Sequence, residues 1–196
     1  MNQYFTNNEN LKSEYRKIKY NYLDYEFSFT SDLGVFSKDR IDFASKLLIE
    51  TYFKTGRKKI NVLDVGCGYG LIGITISRIM DSKVDMIDIN KRALHLADIN
   101  IKNNYANARA FESNIYENIK DKYDVIITNP PIRAGKEVYM KILMDASNYL
   151  KSDGELWFVM NKDHGAKSTI EKMKNVYDIN VLEKKKGFFV ISCKKH

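Results

Sequence analysis

Apolar positions along this chain follow two rhythms: a strict alternation, and a stripe recurring every three to four residues. Residues 1–16 are polar and read as an arm, helical or loose. Ile18, Tyr20 and Tyr22 then alternate with polar neighbours, as do Tyr25, Phe27 and Phe29, with the phase shifting across Leu23-Asp24. A two-residue turn there puts all six side chains on one face of a hairpin. Ser37 is placed to cap a helix over about 38–54, with Ile41, Ala44, Leu48 and Thr51 on one side. Beyond it strands and helices alternate. Strands are expected at 60–65, 83–88, 107–111, 122–128 and 155–160, the last entered by a turn at Asp153-Gly154. Helices are expected at 71–80, 91–103, 135–150 (with Val138, Ile142, Ala146 and Tyr149 as its stripe) and 164–176. Two final strands, 178–183 and 187–193, flank Lys184-Lys185-Lys186, and so short a link makes them an antiparallel pair. This order implies an α/β fold: a seven-stranded, mostly parallel sheet with one antiparallel strand, helices on both faces, and an N-terminal β-hairpin.

Composition narrows the class. A chain of 196 residues, 44% hydrophobic, fits one domain with a small extension. The expected division is an arm and hairpin at 1–35 and a main domain at 36–196. No basic and apolar leader and no run of membrane length occurs, so the chain reads as cytoplasmic. Cys67 and Cys193 make neither a disulfide framework nor a metal-ligand pattern, and no metal site is expected. The net charge of +7 suits a polyanionic partner. Lysine dominates that charge, and Asn, Ile and Tyr are also abundant, so an AT-rich genome would account for part of it. The hairpin's aromatic face packs on a core or, in the sharper reading, stacks on nucleic-acid bases.

The strand at 60–65 runs into Asp64-Val65-Gly66-Cys67-Gly68-Tyr69-Gly70, and a helix follows. Glycines give such a turn its positive φ angles and let a nucleotide-like ligand lie against bare backbone. Gly68, Gly70 and Gly73 spell a dinucleotide fingerprint, a weak signal alone. The run from Gly66, with Asp64 inside the strand, instead resembles the first motif of the class I S-adenosylmethionine (AdoMet) methyltransferases, whose fold is Rossmann-like. The second strand ends in Asp88, 22 residues beyond Gly66. A carboxylate there can accept both ribose hydroxyls. The plainer role, capping the next helix, suits Asn90 better. The resemblance implies that Asp64, Gly66, Gly68 and Gly70 cradle the amino-acid end of AdoMet, with Asp64 near its ammonium. It implies that Asp88 and Ile89 meet the ribose and Asn114 the adenine amine. Phe36 and Lys38 would flank the methionine end, or belong only to a helix start.

The fourth strand ends at Asn129-Pro130-Pro131-Ile132. Each proline fixes its own φ and pushes the preceding residue to extended geometry, so the local carbonyls point in set directions. An exocyclic amine is a poor nucleophile because its lone pair is delocalised into the ring. The Asn129 side-chain oxygen and the Pro130 carbonyl can accept its two N–H groups and aim the lone pair at a methyl donor. Catalysis is then positioning and electrostatics. The motif resembles the signature of amino-methyltransferases acting on adenine, guanine or glutamine amides. Pro131 and Ile132 would meet the target, with apolar contact at Ile132 where many relatives stack an aromatic ring. Arg133 and Lys136 would hold RNA phosphate, or Arg133 the base. With Gly34-Val35-Phe36-Ser37, the run Ile132-Arg133-Ala134-Gly135-Lys136 is similar to small, single-domain relatives of the RsmC-type ribosomal RNA guanine-N2 methyltransferases. That resemblance implies AdoMet as cofactor, ribosomal RNA or the small ribosomal subunit as partner, and guanine N2 of 16S ribosomal RNA as target. The rivals are an adenine-N6 or protein-glutamine methyltransferase, a non-catalytic RNA-binding module of the same fold, and, more distantly, an NAD-dependent oxidoreductase. Oligomeric state is open.

Overall fold

The computed structural model describes residues 13–32, 35, 41–58 and 60–196. β1 (Arg16–Tyr22) and β2 (Tyr25–Ser31) pair antiparallel around Leu23-Asp24. Ile18 lies opposite Phe29, Tyr20 opposite Phe27 and Tyr22 opposite Tyr25. All six side chains therefore share one face, and that face packs on the main core. Packing, not base stacking, is what the structure gives it: Ile18, Tyr20, Phe27 and Phe29 are buried.

The remaining elements are α1 (Phe43–Phe53), β3 (Asn61–Val65), α2 (Leu71–Met80), β4 (Lys83–Asp88), α3 (Lys91–Asn103), β5 (Ala108–Glu112), β6 (Tyr123–Thr128), α4 (Lys136–Asp145), β7 (Leu150–Asn161), α5 (Ala166–Met173), β8 (Tyr177–Lys185) and β9 (Phe188–Lys195). Strands β3 to β9 form one sheet in the order β5-β4-β3-β6-β7-β9-β8. Only β9 runs against the others. The central strands are apolar at nearly every position because both faces are covered. Val62, Val125, Ile127, Trp157 and Val159 face α1, α2, α3 and the hairpin. Leu63, Ile126, Leu156 and Phe158 face α4 and α5. The strand order reverses direction at β3 and β6, the place where open α/β sheets leave a crevice beyond the strand ends.

Several expectations change. Residues 1–12 lie outside the described region, and Arg16 is already in β1. Ser37 lies outside it too, and the first helix starts at Phe43, capped by Asp42, whose carboxylate accepts the Ser45 N–H at 2.8 Å. The helix predicted to Leu150 ends sooner, with a short 3-10 turn at Ala146–Asn148. Leu150 opens β7, and Tyr149 stacks on Tyr116 instead of continuing a helical stripe. Asp153-Gly154 is thus an irregularity inside a strand: the register slips between Tyr123 and Val125, and a Cβ on Gly154 would stand 2.9 Å from the Tyr123 carbonyl. Lys184 and Lys185 belong to β8, leaving Lys186-Gly187 as the turn.

Candidate active site

The carboxyl ends of β3, β4, β6 and β7 surround a cavity of about 620 Å³. Its floor is the glycine turn. The Gly66 and Cys67 N–H groups both donate to the Ile87 carbonyl, at 2.8 and 3.0 Å, tying the turn to the end of β4. Gly66, Gly68 and Gly70 all have positive φ (71°, 57° and 93°), which side chains resist. Beyond that shared need they differ. A Cβ on Gly68 would meet nothing within 4 Å, and one on Gly66 only Pro131 Cδ at 4.0 Å, so these two open onto the cavity. A Cβ on Gly70 would strike Ile74 Cδ1 at 2.8 Å, and one on Gly73 would strike Met86 Sδ at 2.5 Å. Those two serve packing, and Gly70 is not part of the cavity wall.

Asp88 stands at the rim of the turn. Its Oδ2 accepts the Gly68 N–H and its Oδ1 the Asn90 N–H, both at 2.9 Å. The carboxylate keeps acceptor capacity for a ligand hydroxyl beyond these bonds. Burial raises its pKa, against the pull of the Asn90, Gly68 and Ile89 N–H groups. Asn90 caps α3 with its own side chain, so Asp88 is not needed as the cap. Ile89, Asn114 and Ile115 line the cavity next to Asp88. The Asn114 amide donates to Glu117 at 2.9 Å, which leaves Oδ1 as its remaining acceptor.

Asp64 lies elsewhere than a direct ligand contact would require. It does not reach the cavity but lies fully buried under the turn, where the missing side chain of Gly73 admits it. Its Oδ2 accepts the Gly73 N–H at 2.9 Å. Its Oδ1 meets no donor among the described residues. Burial lifts the carboxyl to about 7, the Gly73 bond pulls it down, and the charge of Asp88 adds to the rise.

Across the cavity stands the other motif. Thr128 Oγ1 donates to the Val65 carbonyl at 2.8 Å, clamping the ends of β6 and β3 together. Asn129 follows. Its Nδ2 donates to Asp42 Oδ2 at 3.1 Å and to Ser45 Oγ at 2.9 Å. A carboxylate accepts only, so the NH2 group must face Asp42, and the amide oxygen is left as the free acceptor. Pro130, Pro131, Ile132 and Arg133 continue the wall. The Pro130 carbonyl accepts the Ile132 N–H at 2.9 Å and the Pro131 carbonyl accepts the Ala134 N–H at 2.9 Å, so each oxygen already carries one local hydrogen bond. Lys136 is exposed at the start of α4, away from the cavity. Phe36 and Lys38 lie outside the described residues.

Sequence reasoning missed Asp42 and Ser45. The pattern of a capping acid three residues before a serine was the available signal. It also missed Asn161, His164 and Phe188, which form the far wall. Asn161 ends β7, so the rule that ligands sit beyond the carboxyl ends of strands would have found it. Among the described residues no cluster of His, Cys, Asp and Glu could hold a metal, and no helix is long and apolar enough to cross a membrane.

Residues 26–192 match the pattern that defines the methyltransferase small domain. YbxB of Bacillus subtilis (strain 168), an uncharacterised protein, is 40% identical over 197 residues, spanning 98% of each chain. Ribosomal RNA small subunit methyltransferase C of Psychromonas ingrahamii is 30% identical over 173 residues, 86% of this chain and 48% of that one. The T. thermophilus 16S rRNA N2 G1207 methyltransferase (RsmC), solved with AdoMet and guanosine, is 25% identical with a TM-score of 0.85, over 95% of this chain and 52% of that one. The chain spans about half the length of these two named enzymes.

Proposed function

The chain belongs to the methyltransferase small domain family, and from that membership we propose that it methylates an exocyclic amine, guanine N2 of small-subunit ribosomal RNA, with AdoMet as donor. One observation carries the chemistry: Asp42 and Ser45 hold the Asn129 NH2 group, so that Oδ1 is presented as an acceptor.

AdoMet supplies an electrophilic methyl on a positive sulfonium. The cavity suits such a molecule, since Gly66 and Gly68 open onto it and Asp88 offers acceptors for a ribose. Asn114 Oδ1 is the acceptor proposed for the adenine amine. Asn129 Oδ1 and the second lone pair of the Pro130 carbonyl take the N–H groups of the target amine. Holding both orients the nitrogen lone pair and offsets the positive charge that grows on it. No strong base is needed before transfer, and the surplus proton leaves afterwards. Ile132 gives the target an apolar contact, and a base within a helix must be turned outward to reach Asn129. An oxidoreductase would have no use for Asn129 between the helix cap and the prolines.

Labelled AdoMet tests the reading. Unmodified small ribosomal subunits, their naked RNA, transfer RNA and release factor are offered in parallel, and labelled RNA is digested to nucleosides. Label in N2-methylguanosine is expected. Label in N6-methyladenosine or in protein would keep the reaction and discard the target. AdoMet binding with no label in any substrate would favour a non-catalytic RNA-binding role.

A further inference from the structure

The lysine run of the last hairpin has no place in the reaction itself, yet the fold brings it to the cavity mouth. Lys186 and Gly187 turn the chain with φ of 49° and 80°. A two-residue turn of that shape favours Asn-Gly, and a lysine there sits in a region most side chains avoid. Turn chemistry therefore does not account for Lys186. The turn folds back on the end of β7, where the Lys162 N–H donates to the Gly187 carbonyl at 2.8 Å. The Lys162 side chain runs alongside, its Cε 3.6 Å from where a Gly187 Cβ would be. Lys186 Nζ stands 5.1 Å from the centre of the Phe43 ring, and Phe43 packs on Phe188 at 5.7 Å. Phe188 is itself cavity wall, as is His164 just beyond Lys162. Two basic segments far apart in sequence thus meet at one lip, and Ile132 and Arg133 lie on another part of the same wall. Of the nearby acids, Glu183 is already paired with Lys54 at 3.2 Å, and Asp163 is exposed between Lys162 and His164.

We propose that Lys162 and Lys186 form a phosphate-binding lip for a polynucleotide strand, which crosses the cavity mouth between this lip and Arg133 while the target nucleotide turns inward. This rests on the reading of the site as a nucleic-acid methyltransferase. The lip supplies affinity without sequence preference, and the cavity supplies selection.

The test compares the wild type with Lys162→Ala, Lys186→Asn and the double variant. Asparagine suits the turn at 186, so the hairpin keeps its fold. Binding of unmodified small-subunit ribosomal RNA is measured across a range of KCl concentrations, beside AdoMet affinity and methyl transfer. Each lost phosphate contact should lower the slope of log affinity against log salt by about 0.7 on a single strand. The double variant should bind RNA roughly tenfold more weakly at low salt, with AdoMet affinity unchanged. Wild-type RNA affinity and salt slope in the double variant would overturn the lip, even if the wild type methylates RNA. A wild type that binds RNA through these lysines but transfers no methyl would uphold the lip and overturn the substrate reading.

Discussion

Asn129 is oriented by a helix cap. Asp42 Oδ2 accepts the Ser45 N–H of α1 and an Asn129 N–H together, so one carboxylate both starts the helix and aims the amide. Asn129→Ala should lower kcat about 100-fold or more while leaving AdoMet affinity nearly unchanged, as single-turnover and binding assays would show. Asn129→Asp, conservative on paper, sets a second carboxylate against Asp42 and should lose a comparable factor at neutral pH. Ser45→Ala removes one of the two acceptors and should lower kcat by a smaller factor. Asp64 makes a different prediction. Its carboxyl titrates near 7 when folded and at about 4 when unfolded. Between those values the folded chain keeps a proton that the unfolded chain has lost, so this group's contribution falls as pH rises. Asp85, held low by Arg109 and Tyr123 against its burial, has the opposite sign below that window. The clean measurement is therefore the Tm of wild type minus that of Asp64→Asn. It should decrease from about pH 4 to 7 and level off above. Of this, sequence showed the motif residues but not their partners. The run Asp42-Phe43-Ala44-Ser45 announces a helix start, not its contact with a residue 87 positions away. Nor does a motif tell whether its acid faces the ligand or, like Asp64, lies beneath it.

At the scale of elements, two asparagines, one in the last turn of α3 and one capping its end, hold the free edge of the hairpin. Asn104 exchanges hydrogen bonds with the Ser28 backbone, both at 3.0 Å. Asn100 does the same with Thr30, at 2.7 and 2.9 Å, and also donates to the Tyr69 carbonyl at 2.8 Å. The hairpin reaches the glycine turn a second way, through the Phe29 ring against Tyr69 at 5.7 Å. Asn100 therefore joins hairpin to turn, whereas Asn104 joins the hairpin to α3, its Nδ2 also donating to the Asn100 carbonyl at 2.8 Å. Both alanine variants should lower Tm, but only Asn100→Ala should weaken AdoMet binding, by about tenfold. Equal effects of the two on AdoMet affinity would reduce Asn100 to a structural latch. The elements themselves were plain in sequence where rhythm was clean: the phase shift at Leu23-Asp24 gave the hairpin register, and α2 and β4 fall where expected. One miss has a tertiary cause. Asp153-Gly154 carries the signature of a turn, and only the close approach of the Tyr123 carbonyl makes it a bulge.

For the whole molecule, alternation of strand and helix was enough to imply the sheet, because parallel strands leave few topologies. Its consequence is thermodynamic. A ligand seated across the ends of β3, β4 and β6 binds only the folded chain, so AdoMet at 100 times its Kd should add about 2.7 kcal/mol of stability. In a chain of this size that raises Tm by roughly 5–10 °C in scanning calorimetry, and NADH should not. Matching shifts with NADH would favour a dinucleotide enzyme. One margin of the sheet matters for another reason. β8 is an outer strand whose ladder with β9 slips between Val181 and Glu183, just where Val181 and Leu182 lie open to solvent. A straight, apolar margin would template the addition of further chains and seed fibrils. The kink breaks the repeat that such stacking needs, and Lys184 and Lys185 place like charges where successive copies would meet. Straightening and discharging this outer strand, far from the chemistry, should therefore make the protein aggregate at concentrations the wild type tolerates.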